Sequence, residues 1–178
     1  MTAGRTVNSQ SINWNTPSKY VDAITNFFIE IGYKGIELDP CSNDYSIVNA
    51  KKEYKFPDDG LIKSWNCSTI FVNPPYGSTK GSKIKDWLRM CDFAHQKYNS
   101  EVIALVPVAT NTSHWKEYVF NKASVVCFCA DTRLKFLVEG KEGGKGAPMA
   151  CALIYYGSFP ELFEDYFQDL GNCMKMMS

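Results

Sequence analysis

Ser68-Thr69-Ile70-Phe71-Val72-Asn73-Pro74-Pro75-Tyr76 is the stretch on which the fold turns. Its first half is a short apolar run that reads as a buried strand. Its second half sets an amide, two prolines and an aromatic ring at the carboxyl end of that strand. Proline fixes φ and removes an N–H donor, so the chain is rigid there and holds its acceptors in place. In an open α/β sheet the carboxyl ends of the strands are where ligands bind. Asn-Pro also opens ordinary turns, so the weight of the motif depends on its surroundings.

Upstream, Val21, Ile24, Phe27, Phe28 and Ile31 repeat at helical spacing. Thr16 suits the cap of that helix and Pro17 its first turn. Gly35 to Leu38 reads as a strand closed by Asp39-Pro40-Cys41. Residues 42–59 are polar and weakly periodic, and 60–65 suit a short helical turn. Downstream, Ile84 to Tyr98 reads as a helix with Ile84, Trp87, Leu88, Cys91 and Ala94 on one face. Val102 to Val106 is a fully apolar strand, Ser113 to Phe120 a short helix, and Ser124 to Cys129 another strand. Leu134–Val138 and Ala150–Tyr156 read as the arms of a hairpin joined by a loop rich in Gly and Lys, with Pro160 to Leu170 as a terminal helix. The alternation predicts an α/β fold with a mostly parallel sheet and an antiparallel C-terminal hairpin. Residues 1–12 are expected to be a flexible segment and 13–178 a single domain without internal repeats.

At 178 residues the chain is long enough for one domain with a substantial core. No apolar run approaches the ~20 residues that span a bilayer. The start, Met1 to Gln10, is polar and lacks the apolar core of a signal peptide, so a cytoplasmic protein without membrane attachment is expected. The seven cysteines are scattered and read as free buried thiols of a reducing compartment. Without paired Cys-x-x-Cys units, no metal site is expected. His95 and His114 lie far apart and suit surface or helix-end positions.

Lys plus Arg and Asp plus Glu number 19 each, which argues against a protein that grips nucleic acid over its whole surface. The cations are nevertheless grouped. Lys80, Lys83 and Lys85 follow the motif, and Arg133, Lys135, Lys141 and Lys145 cluster late. On a common rim with Asn73 the two groups would form a local basic lip.

Three further elements carry chemistry. Trp14-Asn15-Thr16-Pro17 precedes the first helix, where a hydroxyl and nearby amides suit a carboxylate; the plainer reading is a helix cap. Asp39 in Leu38-Asp39-Pro40-Cys41 ends a strand, where it either accepts from a ligand's ammonium or hydroxyls or forms a turn. No G-x-G-x-x-G follows, and Ser42-Asn43-Asp44-Tyr45-Ser46 takes its place, which excludes the dinucleotide fingerprint. Asp58-Asp59-Gly60-Leu61, with Trp65 beyond, offers a carboxylate to an amino group or starts a turn.

In order and spacing these elements resemble the phage-type DNA N6-adenine methyltransferase family, related to Dam methylases. The pattern runs from Trp14-x-Thr16-Pro17 through Leu38-Asp39-Pro40-Cys41, Asp59-Gly60-Leu61 with Trp65, and Phe71-Val72-Asn73-Pro74-Pro75-Tyr76. It continues through Ile84 and Trp87 to Arg133-Leu134-Lys135-Phe136 and Cys151-Ala152-Leu153-Ile154. The resemblance implies a Rossmann-like methyltransferase fold, S-adenosylmethionine as methyl donor, and adenine of duplex DNA, flipped from the helix, as acceptor. If the chain is phage-encoded, the compartment is the host cytoplasm. Cofactor-binding residues implied are Trp14, Thr16, Pro17, Asp39, Pro40, Cys41, Asp59 and Asn73. The catalytic motif implied is Asn73, Pro74, Pro75 and Tyr76. Substrate contacts implied are Tyr76, Lys80, Lys83, Arg133, Lys135 and Phe136, with Tyr76 and Phe136 on opposite faces of the base and Arg133 on a phosphate.

The chemistry suits these residue types. An adenine amino nitrogen is a poor nucleophile because its lone pair is delocalised into the ring. Two acceptors pulling on its hydrogens favour a more tetrahedral nitrogen, and the Asn73 side-chain oxygen and the Pro74 carbonyl supply both. The motif also serves enzymes that methylate RNA amino groups, cytosine N4 or protein glutamine. The missing glycine loop fits a different class, a non-catalytic DNA-binding or inhibitory module. No separate target-recognition domain is visible, so any sequence readout falls to short loops.

Overall fold

The computed structural model describes residues 14–76, 83–120, 122–131, 133–142 and 149–176. The expected flexible start, Lys80 and Lys145 lie outside the described residues. In chain order the elements are β1 (Trp14–Asn15), α1 (Ser18–Glu30), β2 (Leu38–Asp39), β3 (Lys52–Glu53), β4 (Thr69–Val72), α2 (Ile84–Tyr98) and β5 (Glu101–Pro107). There follow α3 (Ser113–Tyr118), β6 (Val125–Cys129), β7 (Leu137–Val138), β8 (Cys151–Tyr156), α4 (Pro160–Phe167) and β9 (Gly171–Lys175).

Among the described residues seven strands form the central sheet, in the order β3-β2-β4-β5-β8-β6-β9. β3, β2, β4 and β5 pair in parallel. β8 lies between β5 and β6 and is antiparallel to both, and β9 is antiparallel to β6. Five strands therefore point one way, and β8 and β9 the other. Helices cover both faces, so β5 is apolar on both sides. Val102, Ala104 and Val106 pack with Trp87 and Leu88 of α2 and Trp115 of α3. Ile103 and Leu105 pack with Phe27 and Phe28 of α1 and Phe163 and Phe167 of α4.

The expected hairpin does not form. β8 has β5 on one edge and β6 on the other, so neither edge is open to residues 134–138. Leu137 and Val138 pair instead with Asn15 and Trp14, antiparallel, in a separate two-stranded sheet. The terminal helix stops at Phe167, and the chain returns as β9 along the outer edge of β6. Gly171 permits that approach, because a Cβ there would stand 2.2 Å from the Phe128 carbonyl oxygen. Among the described residues no helix is long and apolar enough to cross a membrane.

Candidate active site

The parallel strands β2 and β4 end side by side, Leu38 opposite Ile70, and deliver Asp39 and Asn73 to the same edge of the sheet. A cleft there is lined by Trp14, Asn15, Thr16, Asp39, Cys41, Ser42, Asn43, Ser46, Val48, Phe71 and Asn73. The fold thus gathers Trp14, Thr16, Asp39, Cys41 and Asn73, named from the sequence, around one space. Its enclosed part measures about 20 Å3, room for about one water-sized group.

Thr16 does not cap α1. Pro17 is the cap residue, and its carbonyl accepts from the N–H groups of Tyr20 and Val21 at 3.0 and 3.3 Å. The Thr16 hydroxyl accepts from Asn73 Nδ2 at 3.1 Å. Among the described residues the Asn73 side-chain oxygen and the Pro74 carbonyl accept no hydrogen bond. Pro74 is buried beneath the motif and Pro75 is exposed.

Asp39 is buried, and its Oδ1 accepts from the Cys41 N–H at 3.1 Å. Burial pushes its pKa up to about 7. The neighbouring Glu53 charge adds to the rise, while the Cys41 N–H and the nearby Ser42 hydroxyl oppose it. Ser42 Oγ is itself buried and, among the described residues, reaches no partner at hydrogen-bond geometry. Burial, together with the Asp39 charge, keeps Cys41 a neutral thiol, set against the Asn73 main-chain N–H.

Asp59 is exposed and accepts from the Leu61 N–H at 2.9 Å. It is not among the residues lining the cleft. A Cβ on Gly60 would stand 1.8 Å from the Pro40 carbonyl oxygen, so glycine lets this turn press against the loop that carries Asp39. Trp65 donates its indole N–H to the Gly60 carbonyl at 2.7 Å and packs beside Trp87. Pro40 and Pro17 likewise shape the cleft without lining it.

Tyr76 donates its hydroxyl to the Leu105 carbonyl at 3.0 Å. Burial raises its pKa and keeps it a neutral donor. Its ring meets Phe136 edge-on, with centroids 5.7 Å apart, and Phe136 stacks on Trp14 at 5.7 Å. The late Arg-x-x-Phe element is thereby joined to both the motif and β1. Phe136 is only 4% exposed, packed between these two rings. Arg133 and Lys135 alternate with buried Leu134 and Phe136 and are exposed. Just before them, Asp131 is held by Lys19 at 2.7 Å and by the Tyr20 hydroxyl at 2.8 Å.

Of the expected basic lip, Lys83, Lys85, Arg133, Lys135 and Lys141 are among the described residues. Lys85 pairs with Glu117 at 2.7 Å. Lys83 is exposed at the start of α2, where its N–H donates to Asp86 Oδ2, and Lys141 is exposed. His95 Nδ1 meets the Ser100 carbonyl just past the end of α2, and His114 Nε2 meets Thr112 at the start of α3.

Sequence reasoning missed Asn15, Ser42, Asn43, Ser46, Val48 and Phe71 as lining residues. Asn15 Nδ2 donates to Asn43 Oδ1 at 3.1 Å, and Asn15 Oδ1 accepts from the Gly140 N–H at 3.2 Å. Asn43 Oδ1 also accepts from the Tyr45 N–H at 2.9 Å, so a side-chain turn replaces the absent glycine loop. The density of turn-forming residues in Ser42-Asn43-Asp44 is the one signal that could have marked it.

A family model described as DNA N-6-adenine-methyltransferase (Dam) matches residues 4–161, most of the chain. No curated protein matches it.

Proposed function

The chain belongs to the DNA N-6-adenine-methyltransferase (Dam) family, and from that membership we propose that it transfers a methyl group from S-adenosylmethionine to the N6 amino group of adenine in DNA. The two-faced sheet with its cleft at the strand ends supports reading the fold as the Rossmann-like methyltransferase type. The cofactor supplies a sulfonium-bound methyl group, an electrophile that needs no activating base.

The polar groups that line the cleft suit the zwitterionic end of such a cofactor. The Thr16 and Ser42 hydroxyls offer donors to a carboxylate, and Asp39 offers an acceptor to an ammonium. Trp14 and Cys41 complete the walls, while Pro17 and Pro40 set the backbone. Asp59 lies outside the lining of this cleft and is given no contact to the zwitterionic end in this reading.

One observation carries the proposal. Among the described residues the bond from Asn73 Nδ2 to Thr16 leaves the Asn73 oxygen unengaged, and the next residue's carbonyl, that of Pro74, is likewise without a donor; the two acceptors follow directly on β4. They hold the two hydrogens of an exocyclic amino group. The Tyr76 ring, anchored through its hydroxyl, takes one face of the flipped base, with Phe136 backing it. Arg133, Lys135 and Lys83 are assigned to phosphates. The contribution is positioning and electrostatic preorganisation.

Incubation with labelled S-adenosylmethionine and duplex DNA, RNA or protein should place label in DNA as N6-methyladenine. Cofactor binding without incorporation into any DNA would overturn the proposal. Asn73→Ala should lower kcat by about 10²–10³ with cofactor affinity nearly unchanged. A wild-type rate in that variant would overturn the assignment of the site.

A further inference from the structure

We propose that Thr16 is a positioning residue that couples filling of the cleft to the orientation of the Asn73 amide. The inference rests on reading the site as an amino methyltransferase.

A carboxamide turned by 180° keeps its shape and exchanges donor for acceptor. With Nδ2 toward Thr16, the Asn73 oxygen is left to accept an amino hydrogen. With the amide turned over, its N–H groups would face those hydrogens and repel them. A hydroxyl has one proton and two lone pairs, so it can hold either orientation. Here it accepts from Asn73 Nδ2 at 3.1 Å, and among the described residues its own proton has no acceptor.

Two features make Thr16 suited to this role. It is 2% exposed, so bulk water does not compete for its hydroxyl, and its β-branch restricts χ1. Pro17 caps α1, which releases the hydroxyl from helix duty. Thr16 also lines the cleft together with Ser42 and Asp39. A carboxylate entering the cleft accepts a hydrogen bond from the Thr16 hydroxyl, whose proton is then committed, and only the lone pairs of that oxygen remain for Asn73. The amide is then held with its oxygen free for the acceptor. By linkage, engagement of the Asn73 oxygen by an amino group favours the carboxylate in turn.

The test follows the Asn73 side-chain amide by NMR in protein labelled with 15N-asparagine, with S-adenosylhomocysteine as probe, beside steady-state kinetics. In the wild type, the probe should shift the Asn73 amide signals and slow their hydrogen exchange. Thr16→Val should abolish that response and Thr16→Ser should keep it. Thr16→Val should also lower kcat at saturating cofactor by about 10- to 100-fold, with Thr16→Ser near wild type. If Thr16→Val does not fold, Thr16→Ala serves the same comparison. A Thr16→Val variant with a raised KM for cofactor and unchanged kcat would overturn the inference, as would a wild-type amide that ignores the probe. Absence of turnover in the wild type sinks the proposed function, whereas the amide measurement decides the coupling without turnover.

Discussion

Asn15 donates from its side-chain nitrogen to the side-chain oxygen of Asn43, 28 residues away, at 3.1 Å. Its oxygen accepts from the Gly140 N–H, so one buried amide ties β1, the 42–46 loop and the turn after β7 together at the mouth of the cleft. Gly140 holds φ at +73°, and a Cβ there would stand 2.9 Å from the Tyr45 carbonyl oxygen. Asn15→Ala leaves the Gly140 N–H and Asn43 without this partner. It should destabilise the fold by about 1–3 kcal/mol, lowering Tm by several degrees. Proteolysis should find the 42–46 loop more readily.

Asp39 makes stability depend on pH. Its folded pKa of about 7 lies above the unfolded value of ~3.9, so the native state keeps a proton that the unfolded chain releases. The contribution is fully present below about pH 4 and is lost as pH rises through about 7. Denaturant unfolding at pH 5 and pH 8 should show lower stability at pH 8, and Asp39→Asn should flatten the difference. An ammonium seated on Asp39 needs the carboxylate, so cofactor binding near pH 6 should expel a proton. Calorimetry in buffers of different ionisation enthalpy reads that release.

Gly60→Ala should act at a distance. The new methyl group would meet the Pro40 carbonyl and Trp87, displacing the loop that carries Asp39. Lower thermal stability and weaker S-adenosylmethionine binding are expected although residue 60 lies outside the cleft lining. Unchanged calorimetric affinity would show that the loop absorbs the clash.

Tyr76→Phe keeps the ring and removes the bond to the Leu105 carbonyl. A loss of about 1 kcal/mol in stability is expected, with turnover reduced mildly. Tyr76→Ala removes the stacking surface, worth about 1–3 kcal/mol per base, and also the edge contact to Phe136. DNA titrations with both variants separate the ring from the hydroxyl.

Arg133 and Lys135 are exposed neighbours of the buried Phe136. Replacing both by Ala should weaken DNA binding and reduce the slope of log K against log salt by about 0.9 for each phosphate no longer neutralised. An unchanged salt slope would remove these two residues from the DNA interface.

Much of the frame was legible because its signals are local. The bounds of α2 follow from Trp87, Leu88, Cys91 and Ala94 at helical spacing, all buried. β5 was legible from its unbroken apolar run. The hairpin between residues 134 and 156 was not, because a Gly-rich loop between two apolar arms is also a local signal, and pairing is settled by which edges remain open. β9 gave little pattern to read, since most of its residues are exposed or half-buried. Thr16 read as a cap because Thr before Pro ordinarily is one. Its contact with Asn73 spans 57 residues and has no signature in either segment.

By itself the sequence determined the strand that ends in Asn73, the rigidity of the two prolines, the aromatic that follows and the order of elements that marks the family. Those properties reside in residue types and short spacings. Only the tertiary structure decided that Thr16 bonds Asn73 rather than capping α1, that Asn15 ties β1 to the 42–46 loop and to Gly140, that Asp59 lies outside the lining of the cleft, and that burial raises the Asp39 pKa. These depend on distances between segments far apart in the chain and on the exclusion of water between them, and neither exists until the chain has folded.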